Sequence, residues 1–386
     1  MNEPKSPKNI CKQIAILKDR GCEIHDKSFA KETLSKINYY RLITYLLPFK
    51  NGKYKEKTTF EKIVSLHEFD RKLRSLLLQV IDCIEVTLRT RLASRIADLN
   101  TENSLFKGKA KEAAESYCKK ISEPPHEVYI KIGEEVIFNG IENVEGEFLL
   151  LCQKEGTNTI LVVPINQKAK SSLEKQQIGK KITLKKDYYK KEVIREKEFI
   201  DKRENIKKKI EDNKEPIVIY HKEHYGGELP FRVIIEFFTF GDLSRLLYKN
   251  LKPEDKKKIA KEFIPEYIPL HQYLESWLCC CNDVRNRCAH FGVLYNHVFP
   301  AEPKGLKQIH RSYARSLWIS ILVIKWLYPF QDKWDEEFIS QIENLVKDSK
   351  LKNSDLRNYG FPKTWKEELK KPKKESLYSW ISFSNC

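Results

Sequence analysis

The sequence predicts a mainly α fold with an inserted small β-rich, barrel-like domain. Three observations predict it: a long helical periodicity in the first 100 residues, short β-rich runs after Pro124 and Pro125, and renewed helical patterning towards the C terminus. The 386 residues suffice for two or three domains with cores of their own. We therefore expect helical parts at 1–123 and 191–386, separated by a β-rich domain at 124–190.

The N-terminal part, from residue 7 to 120, is predicted to be helical throughout. A first helix covers Asn9 to Arg20 and ends at Gly21, which suits a left-handed cap, and the next helix begins after Asp26. The strongest signal extends from Thr59 to Leu99, where apolar residues recur at steps of three and four. The opposite face of this helix is either solvated or directed towards RNA, and it carries Arg71, Arg74, Glu85, Arg89, Arg91 and Arg95.

Five β-rich runs follow, and together they predict the small barrel. Turns are predicted between them at Asn139–Gly140, Glu145–Gly146 and Glu155–Gly156. Residues 168–214 contain 17 Lys and Arg against 9 Asp and Glu, which favours a phosphate-contacting surface, although a solvated helix with i,i+4 ion pairs fits as well. The five predicted strands are Val128–Ile132, Glu135–Phe138, Phe148–Leu151, Thr159–Val163 and Lys181–Leu184.

Helical patterning returns at Pro230, a residue type that suits the first turn of a helix. Gly241 is predicted to break this helix, and Asp242 is predicted to cap the next one. Two more helices are predicted from His271 to His290 and from Ser312 to Tyr328. The second is so apolar that we expect it to pack against the first.

The composition indicates the kind of partner and the cellular compartment. Lys and Arg outnumber Asp and Glu by 71 to 54, a net charge of +17, so a polyanion is the expected partner and nucleic acid the first choice. The start of the chain lacks an apolar leader, and the longest apolar run is too short for a bilayer, which predicts a cytoplasmic protein without a membrane partner. The ten cysteines lack C-x-x-C spacing, so we expect reduced thiols, no metal and no other cofactor.

An unusual group of polar residues stands at the end of the predicted helix His271–His290. Asn286 and His290 lie one turn apart on nearly the same face, and the long Arg285 side chain has to reach round to join them. Phosphodiester cleavage needs a group of near-neutral pKa to move a proton and a cation to stabilise the charged transition state. By itself the R-x-x-x-x-H spacing is weak evidence, because basic proteins contain it by chance.

The surroundings of this motif resemble a known family. The run Arg285-Asn286-Arg287-Cys288-Ala289-His290, followed by Tyr295-Asn296, is similar to the signature of the HEPN superfamily in abortive-infection proteins of the AbiD/AbiF kind. Four further segments resemble hallmarks of that family and occur in its order: Ile37–Leu42, Phe69–Arg74, Ile84–Arg89 and Phe240–Ser244. The resemblance covers residues 29–100 and 220–330.

This resemblance implies a HEPN-like helical bundle and a metal-independent endoribonuclease that arrests infected bacterial cells. Two protomers would bring their R-x-x-x-x-H motifs together around RNA, with Arg285 and His290 as the catalytic pair and Asn286 as their orienter. A bound structured small RNA could restrain the activity. The chain departs from the pattern at Phe291, where relatives often have a second histidine, and in the β-rich insertion.

Other readings of the sequence remain open. The chain could be a non-catalytic RNA-binding scaffold or regulatory module, in which the R-x-x-x-x-H motif only caps a helix. Glu85 and Arg89 are four residues apart, which suits either a structural ion pair or a supporting role beside the active site. Arg287 is a further candidate for the RNA-facing surface. His221 and His224 lack the additional ligands of a known metal motif.

Overall fold

The predicted mainly α fold with a small β-rich insertion is confirmed in a computed structural model of the chain. The chain forms two compact units, unit 1 from residues 1–88 and 256–386 and unit 2 from residues 89–255. The structure describes residues 9–51, 53–54, 58–97, 135–144, 147–153, 155–156, 160–183, 205–206, 208–224, 229, 231–249, 251, 253–264, 270–307 and 311–381.

The N-terminal segment of unit 1 begins with two short helices whose ends the sequence predicted. Asn9 and Asp26 cap them through their side chains, and Gly21 closes the first helix with a φ of 91°. A short two-stranded ribbon then interrupts the predicted helical stretch before the long helix begins. In chain order the elements are α1 Ile10–Asp19, α2 Lys27–Lys36, α3 Tyr39–Ile43, a 3₁₀ turn Thr44–Phe49, β1 Lys50–Asn51, β2 Lys53–Tyr54 and α4 Phe60–Ala97.

Helix α4 confirms the predicted apolar stripe, but its polar face differs from the prediction. Arg71 is exposed as expected, whereas Arg74 is only 4 % exposed and Glu85 is also buried. Both charges have a partner of opposite sign, Arg285 for Glu85 and Asp70 for Arg74. This pairing offsets the free energy that burial of a charge costs. The predicted stripe residues that are buried are Phe69, Leu73, Leu76, Leu77, Val80, Ile81, Ile84, Leu88 and Leu92.

Unit 2 contains an antiparallel four-stranded sheet in the order β5-β4-β3-β6 with a helix on one face. Residues at alternate positions of the strands form its core with Ala169 and Leu173 of that helix. The expected turn at Asn139–Gly140 is wrong, because the ladder shifts register there and Gly140, with a φ of 133°, forms a bulge inside one long strand. The elements are β3 Glu135–Val144, β4 Glu147–Gln153, β5 Ile160–Ile165, α5 Gln167–Leu173 and β6 Lys181–Thr183.

Two of the predictions for the β-rich region, the strand Val128–Ile132 and the turn Glu145–Gly146, lie outside the described residues. Among the described residues, unit 2 also contains α6 Pro216–His224, α7 Phe231–Ile234 with a 3₁₀ turn Ile235–Phe237, a π-helical segment Asp242–Tyr248 and the start of α8 Pro253–Phe263.

The helix after α7 begins three residues earlier than the sequence predicted. Thr239 accepts a hydrogen bond from the N–H of Asp242, and the Asp242 carboxylate accepts one from the N–H of Thr239. This reciprocal pair is a capping box, so Thr239 is the cap and Asp242 is the third helical residue. Gly241 lies inside the helix with a φ of −60° and is not a break.

The C-terminal part of unit 1 is built around an entirely buried helix, α11. The Trp277 and Trp326 rings join α9 to α11 with centroids 5.3 Å apart, which confirms the predicted packing of these two helices. The 11 residues of α11 include Lys325, whose amine donates to two backbone carbonyls. The elements are α9 Leu270–Ala289, α10 Arg311–Ala314, α11 Leu317–Leu327, a 3₁₀ turn Gln331–Lys333, a π-helical segment Asp335–Ile339, α12 Ser340–Asp348, α13 Asn353–Leu356, a 3₁₀ turn Arg357–Tyr359, α14 Trp365–Lys370 and α15 Lys373–Trp380.

None of the helices in the described ranges combines the length and the apolar character that crossing a bilayer requires.

Candidate active site

The three residues singled out by the sequence lie at the C-terminal end of α9. Arg285 and Asn286 belong to its last turn, and His290 is the residue that caps it, with its backbone N–H donating to the carbonyl of Asn286 at 3.0 Å. The apolar side of the helix is buried, including Trp277, Val284 and Cys288. The polar residues therefore occupy the side of α9 that is turned away from the core.

A glutamate on a neighbouring helix holds Arg285. Its Nε lies 3.5 Å from a carboxylate oxygen of Glu85 on α4, and its Nη1 lies 3.5 Å from Oδ1 of Asn286. Asn286 in turn is 3.5 Å from the buried Asn282 one turn earlier. These contacts are at the long limit of hydrogen bonding, so they orient the guanidinium without saturating its five donors. The Arg285 side chain is 35 % exposed and can take a further anionic partner.

His290 is exposed and differs from Arg285, which contacts Glu85 and Asn286. Within the described part of the chain, its ring nitrogens form no hydrogen bond or ion pair. An imidazole in this state is able to accept or donate a proton when a substrate arrives. Arg285, Asn286 and Glu85 thus form one contact chain, and His290 stands one helical turn beyond Asn286.

The loop after His290 is fixed by the helix it leaves. The N–H of Phe291 donates to the carbonyl of Cys288 at 3.1 Å, and the N–H of Gly292 donates to that of Arg287 at 2.7 Å. This pair of bonds is a Schellman motif, with Phe291 in the left-handed conformation at a φ of 57°. The Arg287 guanidinium donates twice to the carbonyl of Val293, at 3.0 and 2.8 Å. Arg287 therefore holds the segment that follows His290.

A family model for Abi-like proteins matches residues 32–148 and 159–296, which is more than half of the chain. The chain belongs to the Abi-like protein family. This membership confirms the family predicted from the sequence and places the chain among abortive-infection phage-resistance proteins. No curated protein and no solved structure matches it. The matched region includes Glu85 and ends at Asn296, so it contains every residue of the candidate site.

The family region also contains a polar cluster that sequence reasoning missed. Asp70 on α4 is fully buried and pairs with Arg74, and its carboxylate accepts hydrogen bonds from the Tyr45 hydroxyl at 3.0 Å and the Leu294 N–H at 3.0 Å. Burial raises the pKa of the Asp70 carboxyl, and the charge of Arg74 opposes that rise. The i,i+4 spacing of Asp70 and Arg74 predicts their pairing, but nothing local indicates the contact to Leu294.

Two further candidates from the sequence have other surroundings. Arg89 lies in unit 2, where its Nη1 is 3.1 Å from Glu236 and its Nη2 donates to the carbonyl of Phe238 at 2.9 Å. His224 stacks on Tyr220 with ring centroids 4.4 Å apart. The described residues include no group of three or more His, Cys, Asp or Glu side chains placed to hold a metal ion.

Three of the four cysteines of α9 are packing residues. Cys280, Cys281 and Cys288 are buried as free thiols. Burial raises the pKa of Cys288 to about 12 and also raises those of Cys280 and Cys281. A thiol that stays protonated at neutral pH is a poor nucleophile, so these three buried cysteines are poorly suited to nucleophilic chemistry.

Proposed function

We propose that the chain is a phage-defence endoribonuclease that cleaves RNA without a metal, by attack of the ribose 2′-hydroxyl on the adjacent phosphate. The observation that carries the proposal is the end of α9, where an exposed imidazole stands close in sequence to a guanidinium that Glu85 and Asn286 orient. Among the described residues this imidazole has no polar partner. The net charge of +17 supports RNA as the substrate, because it attracts a polyanion at long range.

Each group has a defined task in this mechanism. A neutral His290 accepts the proton of the 2′-hydroxyl, whose oxygen then forms a bond to phosphorus. Arg285 stabilises the charge that develops on the non-bridging phosphate oxygens. The bond to the 5′-oxygen breaks, that oxygen takes a proton, and the products are a 2′,3′-cyclic phosphate and a 5′-hydroxyl. Asn286 and Glu85 position Arg285 and do not touch the reacting atoms.

The acid that protonates the leaving oxygen is His290 of a second copy of the chain. Acid and base are needed in the same turnover, and one imidazole is able to fill only one of these roles at a time. A homodimer that brings two R-x-x-x-x-H motifs to one phosphate supplies both. Specific activity then falls on dilution below the dissociation constant of the dimer, and a bound small RNA that occupies the same surface restrains the enzyme.

The test uses the purified full chain and a single-stranded RNA, with an otherwise identical strand that carries one 2′-deoxyribose at the cut position. Cleavage of the first strand in EDTA, with cyclic phosphate ends and no cut in the second, supports the proposal. Cleavage of both strands, or loss of cleavage in EDTA, overturns the mechanism.

His290→Ala separates catalysis from folding in the same assay. Because the side chain is exposed and has no hydrogen bond to any described residue, we expect a loss of cleavage of about 10²-fold or more with an unchanged unfolding midpoint. His25→Ala is the matched control, since His25 is an exposed histidine outside the motif. A His290→Ala variant that cleaves normally but unfolds more easily would assign the motif to a helix cap in a scaffold protein.

A further inference from the structure

Phe291 occupies a backbone position that an aromatic residue rarely takes. The ends of α1 and α12 have the same Schellman hydrogen bonds as the end of α9. At the residue equivalent to Phe291, α1 has Gly21 with a φ of 91° and α12 has Lys350 with a φ of 50°. Glycine is the common residue there because an L side chain in the left-handed region crowds its own backbone. The chain thus keeps a bulky ring at a site that favours glycine.

The surrounding contacts impose this conformation. Arg287 holds the carbonyl of Val293, and buried Asp70 accepts the N–H of Leu294, so the backbone on the far side of Phe291 is fixed. Gly292 is confined as well, because a Cβ there would lie 2.4 Å from Cδ of Arg287. Backbone strain that is held in place by its surroundings is concentrated at functional sites in proteins.

Burial does not account for the ring. Phe291 is 70 % exposed, and no Phe, Tyr or Trp among the described residues is more exposed. Its stabilisation of the fold by burial is therefore small, and the strain is not offset by packing. An exposed, rigidly presented aromatic ring next to His290 needs another explanation.

We propose that Phe291 is a base-stacking residue that holds the nucleobase beside the phosphate to be cut. This inference rests on the proposed function, since it places single-stranded RNA at the end of α9. The occupant is RNA because the flat ring stands next in sequence to the proton-transfer residue, and the chain carries a strong positive charge that suits the phosphate backbone. Stacking on an aromatic ring tolerates any base, so this contact selects unpaired RNA over duplex.

The experiment measures binding of the full chain to a single-stranded RNA of about 12 nucleotides, within the usual range of single-strand sites. Every ribose of the probe carries fluorine in place of the 2′-hydroxyl, so the attacking nucleophile is absent and the probe is not consumed. A series of such probes carries one abasic nucleotide at each position in turn. Three variants are compared with the unchanged chain: Phe291→Tyr, Phe291→Leu and Phe330→Leu.

Phe291→Leu keeps a bulky side chain in the strained conformation and removes only the aromatic face. We expect it to weaken binding by about 5- to 100-fold, the range that one stacked base contributes. Phe291→Tyr retains binding within about threefold on the same scale. Phe330→Leu is the matched control, because Phe330 is a 46 % exposed aromatic residue elsewhere in unit 1, and it leaves binding unchanged.

The abasic series decides whether the ring meets a base. If the ring stacks on a base, one abasic position in the probe weakens its binding to the unchanged chain and to Phe291→Tyr. The same abasic probe binds Phe291→Leu as well as the intact probe does, because the stacking contact is already lost. Equal abasic effects in the unchanged chain and in Phe291→Leu overturn the stacking proposal. If Phe291→Leu becomes monomeric by sedimentation, the ring contacts a second copy instead, and the proposal is wrong.

The two proposals fail in different ways. If the abasic coupling is observed but the chain does not cleave RNA, the stacking proposal stands and the ribonuclease proposal is wrong. If the chain cleaves RNA but the abasic coupling is absent, the ribonuclease proposal stands and the stacking proposal is wrong. A chain that neither binds nor cleaves single-stranded RNA overturns both.

Discussion

Helix α4 carries two buried acidic residues that each meet an arginine, and the two arginines differ in exposure. Asp70 and Arg74 are buried, and the Asp70 oxygens also accept bonds from Tyr45 and Leu294. Glu85 meets Arg285 at 3.5 Å, and the arginine is 35 % exposed. The first pair has its partners within the fold, whereas the second retains donors for a substrate. The Asp70 cluster therefore fixes the loop after His290, whereas the Glu85–Arg285 pair is suited to binding a phosphate.

The largest effect is expected when the buried pair is broken. Asp70→Ala leaves the buried Arg74 charge and the Leu294 N–H without their partner, and we expect a loss of about 3–5 kcal/mol in the free energy of unfolding. Urea denaturation measures it. Arg71→Ala is the control, since it removes an exposed ion pair with Glu68 on the same helix and costs at most about 1 kcal/mol. Similar losses of unfolding free energy in both variants would show that the buried pair stabilises the fold no more than the exposed pair does.

Arg285→Ala tests the other side of the comparison. Removal of a group that stabilises transition-state charge lowers the rate by about 10²- to 10³-fold. The unfolding free energy falls by about 1–3 kcal/mol, less than in Asp70→Ala, because buried Glu85 loses only a long contact to a partly exposed arginine. Single-turnover cleavage and urea denaturation measure the two quantities. Arg311→Ala is the control, since Arg311 is a highly exposed arginine with its own acidic neighbour, Glu302. A large loss of stability with little loss of rate would make the Glu85 pair structural.

The two clusters also differ in how far the sequence predicts them. The periodicity of α4, the ends of α1 and α9, and the R-x-x-x-x-H motif are local signals, and the structure has the elements where those signals are. The sequence predicts Arg74 on a face that is solvated or directed towards RNA. The structure buries it beside Asp70, which also accepts the N–H of Leu294, a residue 224 positions away in the sequence. Local patterns do not report contacts of that range. The conformation of Phe291 has the same origin, since Arg287 and Asp70 impose it through the loop.

Lys325 is a buried charge away from the candidate site, so its replacement tests whether such a group affects stability without affecting cleavage. It is 1 % exposed, and its amine donates to the carbonyls of Glu368 and Lys371 at 2.9 and 2.7 Å. Lys325→Met leaves both carbonyls without this donor, so we expect a loss of about 1–3 kcal/mol in the free energy of unfolding and unchanged cleavage. Urea denaturation and the cleavage assay measure these effects. A changed cleavage rate in a folded variant would link α11 to the active site.

The pH dependence of the same variant identifies the cause. Burial lowers the pKa of Lys325 to about 8. Between that pH and the ordinary lysine value near 10.4, the unfolded chain binds more protons than the folded one, so this group contributes increasing stability as the pH rises. The unchanged chain should therefore gain stability relative to Lys325→Met between about pH 7.5 and 9.5. A difference that stays constant over this range would show that the buried amine does not titrate there.

The smallest effect is expected at Glu85, which touches Arg285 and no reacting atom. Glu85→Gln keeps the size of the side chain and removes the charge that orients the guanidinium, so we expect kcat to fall about tenfold, as for other residues that position a functional group. KM should stay the same or fall, because the loss of a negative charge beside the site favours RNA binding. Glu236→Gln is the matched control, since it removes the acidic partner of Arg89 in unit 2 and should leave both constants unchanged. A higher KM with an unchanged kcat would mean that Glu85 contributes to binding and not to the positioning of Arg285, and the distinction between the two pairs on α4 would then rest on Arg285 alone.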